Sequence, residues 1–207
     1  PLVREMARVR RMPRQARSKQ MYERILEAGR SVLVADGYDG FSTNRVAAAA
    51  GVSPGSLYQY FPDKGAILDV VVDRYWNEVA DRVAASLADR VRLTGPTMVR
   101  ETADALVSAL EADQALLRVV AEELPVSRIL DRRGLLEQRV REVATAYISA
   151  RPDTTARPDP ATTAWVVVLA LENLAVRWVL DRPDIPRERL LDELVALVGG
   201  YLATADA

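Results

Sequence analysis

The 207-residue chain is 49% hydrophobic and nearly neutral, with 28 basic against 29 acidic side chains, so it can bury a sizeable core without covalent staples. It contains no cysteine and no histidine, which excludes disulfides, thiolate metal sites, serine–histidine triads and histidine zinc sites. Enzymatic chemistry would have to run on carboxylates, tyrosine, a bound cofactor, or one of two lysines, Lys19 and Lys64.

The chain opens with Arg4, Arg8, Arg10, Arg11, Arg14, Arg17 and Lys19 against a single Glu5. Residues 1–13 show no hydrophobic period. They read as a basic arm that neutralises phosphates or enters a minor groove, with a solvated tail as the equal alternative for the first ten residues. Arg14, Arg17 and Lys19 adjoin an expected helix and are the better candidates for phosphate contact. Residues 1–64 hold eleven Arg/Lys against six Asp/Glu, and the remainder is acidic, so a polyanionic partner is expected for the front segment only. The arginine-rich start never reaches the apolar stretch of a signal peptide. The longest wholly apolar run, Ala164 to Leu171, is far short of the roughly 20 residues needed to span a bilayer. A soluble, cytoplasmic protein is expected.

Met21, Ile25, Ala28, Val32 and Ala35 recur at helical spacing and predict a helix from about Arg14 to Asp36, with Gly37 as its stop. Tyr38-Asp39-Gly40 reads as a turn and Phe41 as a core anchor. The stretch TNRVAAAAGVSPGSLYQYFPDK, Thr43 to Lys64, then reads as a helix-turn-helix. Thr43 is expected to cap the first helix, which buries Val46, Ala47 and Ala50; Gly51 suits a turn needing positive φ, returning Val52 to the core; and Ser53-Pro54 starts the second helix. On that second helix Leu57 and Phe61 lie about 40° apart and form the buried edge. The opposite arc offers Gly55, Ser56 and Gln59, flanked by Tyr58 and Tyr60. Such an arc, free of carboxylates, suits a major groove, although by itself it fits half-buried packing tyrosines equally well.

Asp63 is expected to cap a long helix reaching about Arg92, with Leu68, Val71, Val72, Tyr75, Val79, Val83, Leu87 and Val91 as its apolar stripe. Gly95-Pro96 breaks the chain. Helices are predicted from Pro96 to about Ala112, from Asp113 to Leu124, from Val126 to Ala150 with an interruption near Gly134, from Ala161 to Leu180 and from Arg187 to Thr204. No strand-type alternation occurs. The last two helices are apolar on nearly every side, so each must be buried on two fronts. A second subunit is the economical partner, with an isologous interface through Trp165, Val168, Val176, Val179, Leu190, Leu194, Val198 and Tyr201.

The segment from Ile25 to Val79, with its ILEA, GY, AGVS, SLYQYF and DK pieces, closely resembles the DNA-binding domain of the TetR family of bacterial transcriptional regulators. The resemblance implies an all-α fold of about nine helices: a basic arm (1–13), a three-helix DNA-binding domain (14–62), and a ligand-binding and dimerisation domain (63–207) entered by the long fourth helix. It also implies a dimeric repressor that binds a palindromic DNA operator and is released by a small-molecule effector. Carried over by position, Pro54, Gly55, Tyr58, Gln59 and Tyr60 would face bases or the adjacent backbone. Thr43, Asn44, Arg45, Ser53, Ser56 and Lys64 would hold phosphates or groove edges. Many members have lysine where Pro54 stands and histidine where Gln59 or Tyr60 stands, so the operator is not transferable from a relative.

Candidate pocket residues are Tyr75, Trp76, Val79, Leu106, Leu110, Leu117, Val120, Tyr147, Trp165, Leu169, Glu172 and Asn173, which suit an apolar or aromatic effector. Glu172 and Asn173 interrupt an apolar helix. They either bind ligand in a greasy cavity or satisfy groups within the protein. No cofactor, metal site or catalytic residue is expected. The alternatives are a DNA-binding activator or regulator without an effector, and a carboxylate-based enzyme using Glu122, Glu123 or Glu172.

Overall fold

The computed structural model describes residues 16–89, 95–125, 138, 140–150 and 157–203. The basic arm, Arg14 and the expected interruption near Gly134 lie outside the described residues. Every regular element among those described is helical: α1 (Ala16–Gly40), α2 (Thr43–Ala49), α3 (Pro54–Tyr58), α4 (Lys64–Asp89), α5 (Gly95–Glu111), α6 (Gln114–Arg118), a π-helical turn (Val119–Glu123), α7 (residues 140–149), α8 (Pro160–Asp181) and α9 (Arg187–Ala203). The chain forms two compact units, one of residues 1–75 and 115–132, the other of residues 76–114 and 133–207. The boundary falls inside α4, between Tyr75 and Trp76.

In the first unit α1 breaks at Gly37, whose φ of 68° and ψ of −177° end the regular helix. The residues beyond it form the expected turn, closed by Phe41 N–H donating to Tyr38 O at 3.3 Å. The cap of α2 is Ser42, not Thr43: the Ser42 side chain accepts from Arg45 N–H, and Thr43 is already helical. The extended backbone that a cap needs is found at Ser42, because Phe41 pulls the preceding turn into the core. Gly51 has the expected positive φ of 63°, Ser53 caps α3 with Pro54 at its first position, and Asp63 caps α4 by accepting from Ala66 N–H at 2.9 Å.

The core of this unit contains Ile25, Phe41, Val46, Leu57 and Phe61, all at most 1% exposed. Val52 is half-buried. Tyr22, Leu26 and Leu33 are also buried, whereas Ala35 is exposed. The buried face of α1 is therefore broader than one stripe. Tyr22 stacks on Phe61 with centroids 5.3 Å apart, and a Cβ on Gly29 would stand 2.9 Å from the Ile67 side chain on α4. The π turn also packs against α1.

In the second unit α5 is the central element, packed by both α8 and α9. Met98, Ala103, Val107, Ala109 and Leu110 supply its buried face. Arg187 at the start of α9 donates to the Asp104 carboxylate at 2.7 Å and to Glu111 at 2.5 Å. Arg100 pairs with Asp192 at 2.6 Å and with Glu188. These pairs link α5 to α9 at partly exposed positions, where solvent screens them and packing of the buried faces dominates. Length and composition alone would let α8 cross a membrane, but here one side of it is packed on α5 and carries buried Thr163 and Glu172.

Candidate nucleic-acid interface and effector cavity

In the first unit, the two helices of the helix-turn-helix carry exposed polar side chains. Asn44, Arg45, Ser53, Pro54, Gly55, Tyr58 and Gln59 are exposed, and Thr43 and Ser56 are half-buried. No acidic residue occurs between Ser42 and Pro62, so nothing on this arc repels a polyanion. The Tyr58 hydroxyl lies 3.1 Å from Thr43 Oγ1, which holds the ring over the junction of the two helices. Ser53 and Ser56 hydroxyls lie 2.9 Å apart.

Tyr60 is placed differently. It is 9% exposed, and its hydroxyl lies 3.1 Å from Ser18 Oγ on α1, so its ring packs inward instead of standing on the arc. Lys64 is exposed but engaged at home, donating to Phe41 O at 3.3 Å and standing 5.3 Å from the Tyr38 ring centroid. Arg45 pairs with Asp36 at 2.7 Å while its side chain stays 57% exposed. Arg17 and Lys19 are exposed on the first turn of α1.

The second unit holds an apolar cavity of about 140 Å³, a volume comparable to engineered cavities that accept a benzene-sized guest. Trp76, Val79, Leu106, Tyr147 and Glu172 line it together with Val83, Met98, Thr102, Val140, Ala144, Ile148, Leu171 and Val198. Among the other sequence candidates, Leu110 is fully buried on α5 but does not line the cavity, and Leu169 is half-buried. Trp165 is 47% exposed and lines a shallow groove with Arg141 and Thr145. Asn173 is exposed and donates to Leu169 O at 2.8 Å. Tyr75, Leu117 and Val120 are buried in the first unit. The wall residues that sequence reasoning passed over carry a readable signal: Met98 and Thr102 precede the expected Leu106 at four-residue spacing on α5, and Val140, Ala144 and Ile148 repeat every four residues on α7.

The expected interface residues also divide. Val176, Val179, Leu190, Leu194 and Val198 are buried within one chain. Trp165 is exposed, Val168 and Tyr201 are half-buried, and exposed Leu174 and Leu197 extend the outward apolar surface of α8 and α9.

Residues 25–71 match the family described as bacterial regulatory proteins of the tetR family. Residues 96–202, just over half of the chain, match the tetracyclin repressor-like C-terminal domain. The chain belongs to the TetR family. The HTH-type transcriptional repressor DrrR1 of Streptomyces coeruleorubidus is 44% identical to this TetR-family chain over 52 residues, which span 25% of this chain and 19% of that protein. The fatty acid degradation regulator FadR from Bacillus halodurans superposes with a TM-score of 0.68 at 17% identity, over 88% of this chain and 96% of that one. The multidrug binding protein EbrR, complexed with imidazole, superposes with a TM-score of 0.63 at 21% identity, over 90% and 96% of the two chains. At these identities the two structures establish a shared fold.

Proposed function

We propose that this TetR-family protein is a cytoplasmic, dimeric transcriptional repressor that binds a palindromic DNA operator and is released by a small-molecule effector. The observation that carries the reading is the exposed arc from Asn44 to Gln59, which has hydroxyl, amide and guanidinium groups and no carboxylate. Side chains of this kind meet phosphates and base edges in a major groove. Tyr58, Gln59, Gly55 and Pro54 are assigned to the bases or adjacent backbone. Thr43, Asn44, Arg45, Ser53, Ser56, Arg14, Arg17 and Lys19 are assigned to phosphates and groove edges. Tyr60 serves from behind, holding α1 through Ser18, and Lys64 reaches a phosphate only by leaving Phe41 O.

The outward surface of α8 and α9, with exposed Trp165, Leu174 and Leu197 and half-buried Val168 and Tyr201, is assigned to the partner subunit, since exposed apolar side chains on adjoining helices favour self-association. The cavity lined by Trp76, Leu106, Tyr147 and Glu172 is assigned to an apolar or aromatic effector of about one ring. Such an effector shifts the population off DNA by its differential affinity for the two states.

The experiment is selection of duplexes from a random pool by the purified protein, followed by sedimentation and mobility shift in the presence of a panel of single-ring compounds. Enrichment of palindromes bound by a dimer, with at least one compound lowering affinity, is the expected result. A monomer that enriches no duplex refutes the reading.

A further inference from the structure

The turn between α1 and α2 is held from several directions. Gly37 adopts φ 68°, ψ −177°, a region essentially closed to residues with a Cβ. A Cβ there would also stand 2.6 Å from the Glu123 Oε2 atom. Glu123 fills that notch and accepts a hydrogen bond from Tyr38 N–H at 2.9 Å. On the same turn Lys64 lies over the Tyr38 ring and donates to Phe41 O, and Asp36 pairs with Arg45 of α2. Phe41 is 1% exposed, and its neighbour Ser42 caps α2. The turn therefore decides where α2 begins and in which direction it leaves.

Glu123 is distant in sequence from every other member of this cluster. It ends the π turn, in which Leu124 N–H donates to Val119 O at 3.2 Å across five residues. A wider turn rotates the following side chains relative to an α-helical continuation, and such insertions recur at functional positions. Both halves of the contact lie in the first unit.

We propose that Glu123 is a positioning residue for DNA binding: its carboxylate, seated in the notch left by Gly37, holds the Tyr38 amide and so fixes the direction of the helix-turn-helix. The proposal rests on the reading of that unit as the DNA reader. It makes a prediction of opposite sign to simple electrostatics, because removing a negative charge from a DNA-binding unit should otherwise strengthen its binding to a polyanion.

The test uses the full chain and the best duplex enriched by the wild type. Glu123→Ala is expected to weaken binding at least fivefold with an unchanged slope against log salt, since no phosphate contact is lost. Glu123→Gln keeps an acceptor oxygen and should recover affinity to within about twofold, whereas the control Glu122→Gln should bind as well as or better than wild type. In hydrogen exchange the Tyr38 amide should exchange at least tenfold faster in Glu123→Ala. Affinity of Glu123→Ala equal to or above wild type, or a Tyr38 exchange rate within twofold of wild type, overturns the proposal. If the wild type enriches no duplex, the DNA reading fails and takes this role with it. The Tyr38 exchange rate tells that failure apart, because it reports the contact alone.

Discussion

The Tyr58 hydroxyl stands 3.1 Å from Thr43 Oγ1, tying the exposed end of α3 to the first residue of α2, while Tyr60, two residues on, turns inward to Ser18. The two tyrosines should therefore separate on mutation. Tyr58→Ala is expected to change stability by about 0.5 kcal/mol or less while weakening binding to the selected duplex at least tenfold. Tyr60→Ala should cost about 3 kcal/mol, as loss of a buried aromatic ring does. Urea denaturation and mobility shift on both variants check this, and undiminished binding by Tyr58→Ala would remove it from the interface.

Two glycines should respond in opposite directions. Gly37→Ala meets both a left-handed φ and the Glu123 carboxylate, and is expected to destabilise by about 2 kcal/mol. At Gly55 a Cβ would meet only Ser53 Oγ, at 3.9 Å, so Gly55→Ala should stabilise by up to about 1 kcal/mol through helix propensity. Its affinity for the selected duplex should nonetheless fall, because the added methyl would stand where the proposed docking brings the backbone to DNA. A Gly55→Ala protein that is more stable and binds equally well would show that this approach is not close.

Glu23 on α1 accepts from Arg74 on α4, with one N···O separation of 3.0 Å. That hydrogen bond holds its carboxyl below the ordinary value of 4.5, against the smaller opposing effect of burial. A lowered folded-state pKa contributes stability that is complete above the unfolded value and is lost as pH falls through the folded one. Because both side chains are well exposed, the contribution should stay below about 1 kcal/mol. Glu23→Gln should be less stable than wild type at pH 7, with a smaller gap at a pH low enough to protonate the folded-state carboxyl. Denaturation midpoints at the two pH values test the sign; a gap that widens on acidification would contradict it.

Ala144 lines the cavity. Ala144→Phe should fill it, altering stability by about 2 kcal/mol or less and leaving affinity for the selected duplex unchanged. The same substitution should abolish the response to any compound that releases the wild type. A mobility-shift titration with that compound is the check, and a retained response would place the effector elsewhere.

Local rules made much of the first unit legible in advance. Ser53-Pro54 starting α3, Gly51 with its positive φ, Asp63 capping α4 and the buried Leu57–Phe61 edge all depend on neighbours a few residues away. Their physics is therefore written in adjacent letters. The cap assigned to Thr43 moved one residue to Ser42, because two hydroxyls in succession are equally able to accept and only the position of Phe41 selects between them. In the second unit the helices were legible but not their faces: α8 and α9 are so apolar that periodicity could not say which residues pack on α5 and which look outward.

By itself, then, the order of residues determined an all-helical chain with a helix-turn-helix near its start, since caps, turns and apolar periods act over one or two helical turns. Only the tertiary structure decided that Tyr60 faces Ser18, that Val176 and Leu194 belong to the chain's own core while Trp165 and Leu197 do not, and that Glu123 enters the notch at Gly37. Each of these brings together groups from separate elements, 42 residues apart for Tyr60 and Ser18 and 85 for Glu123 and Tyr38. The energy that selects such a contact comes from how whole helices pack, a property no local pattern contains.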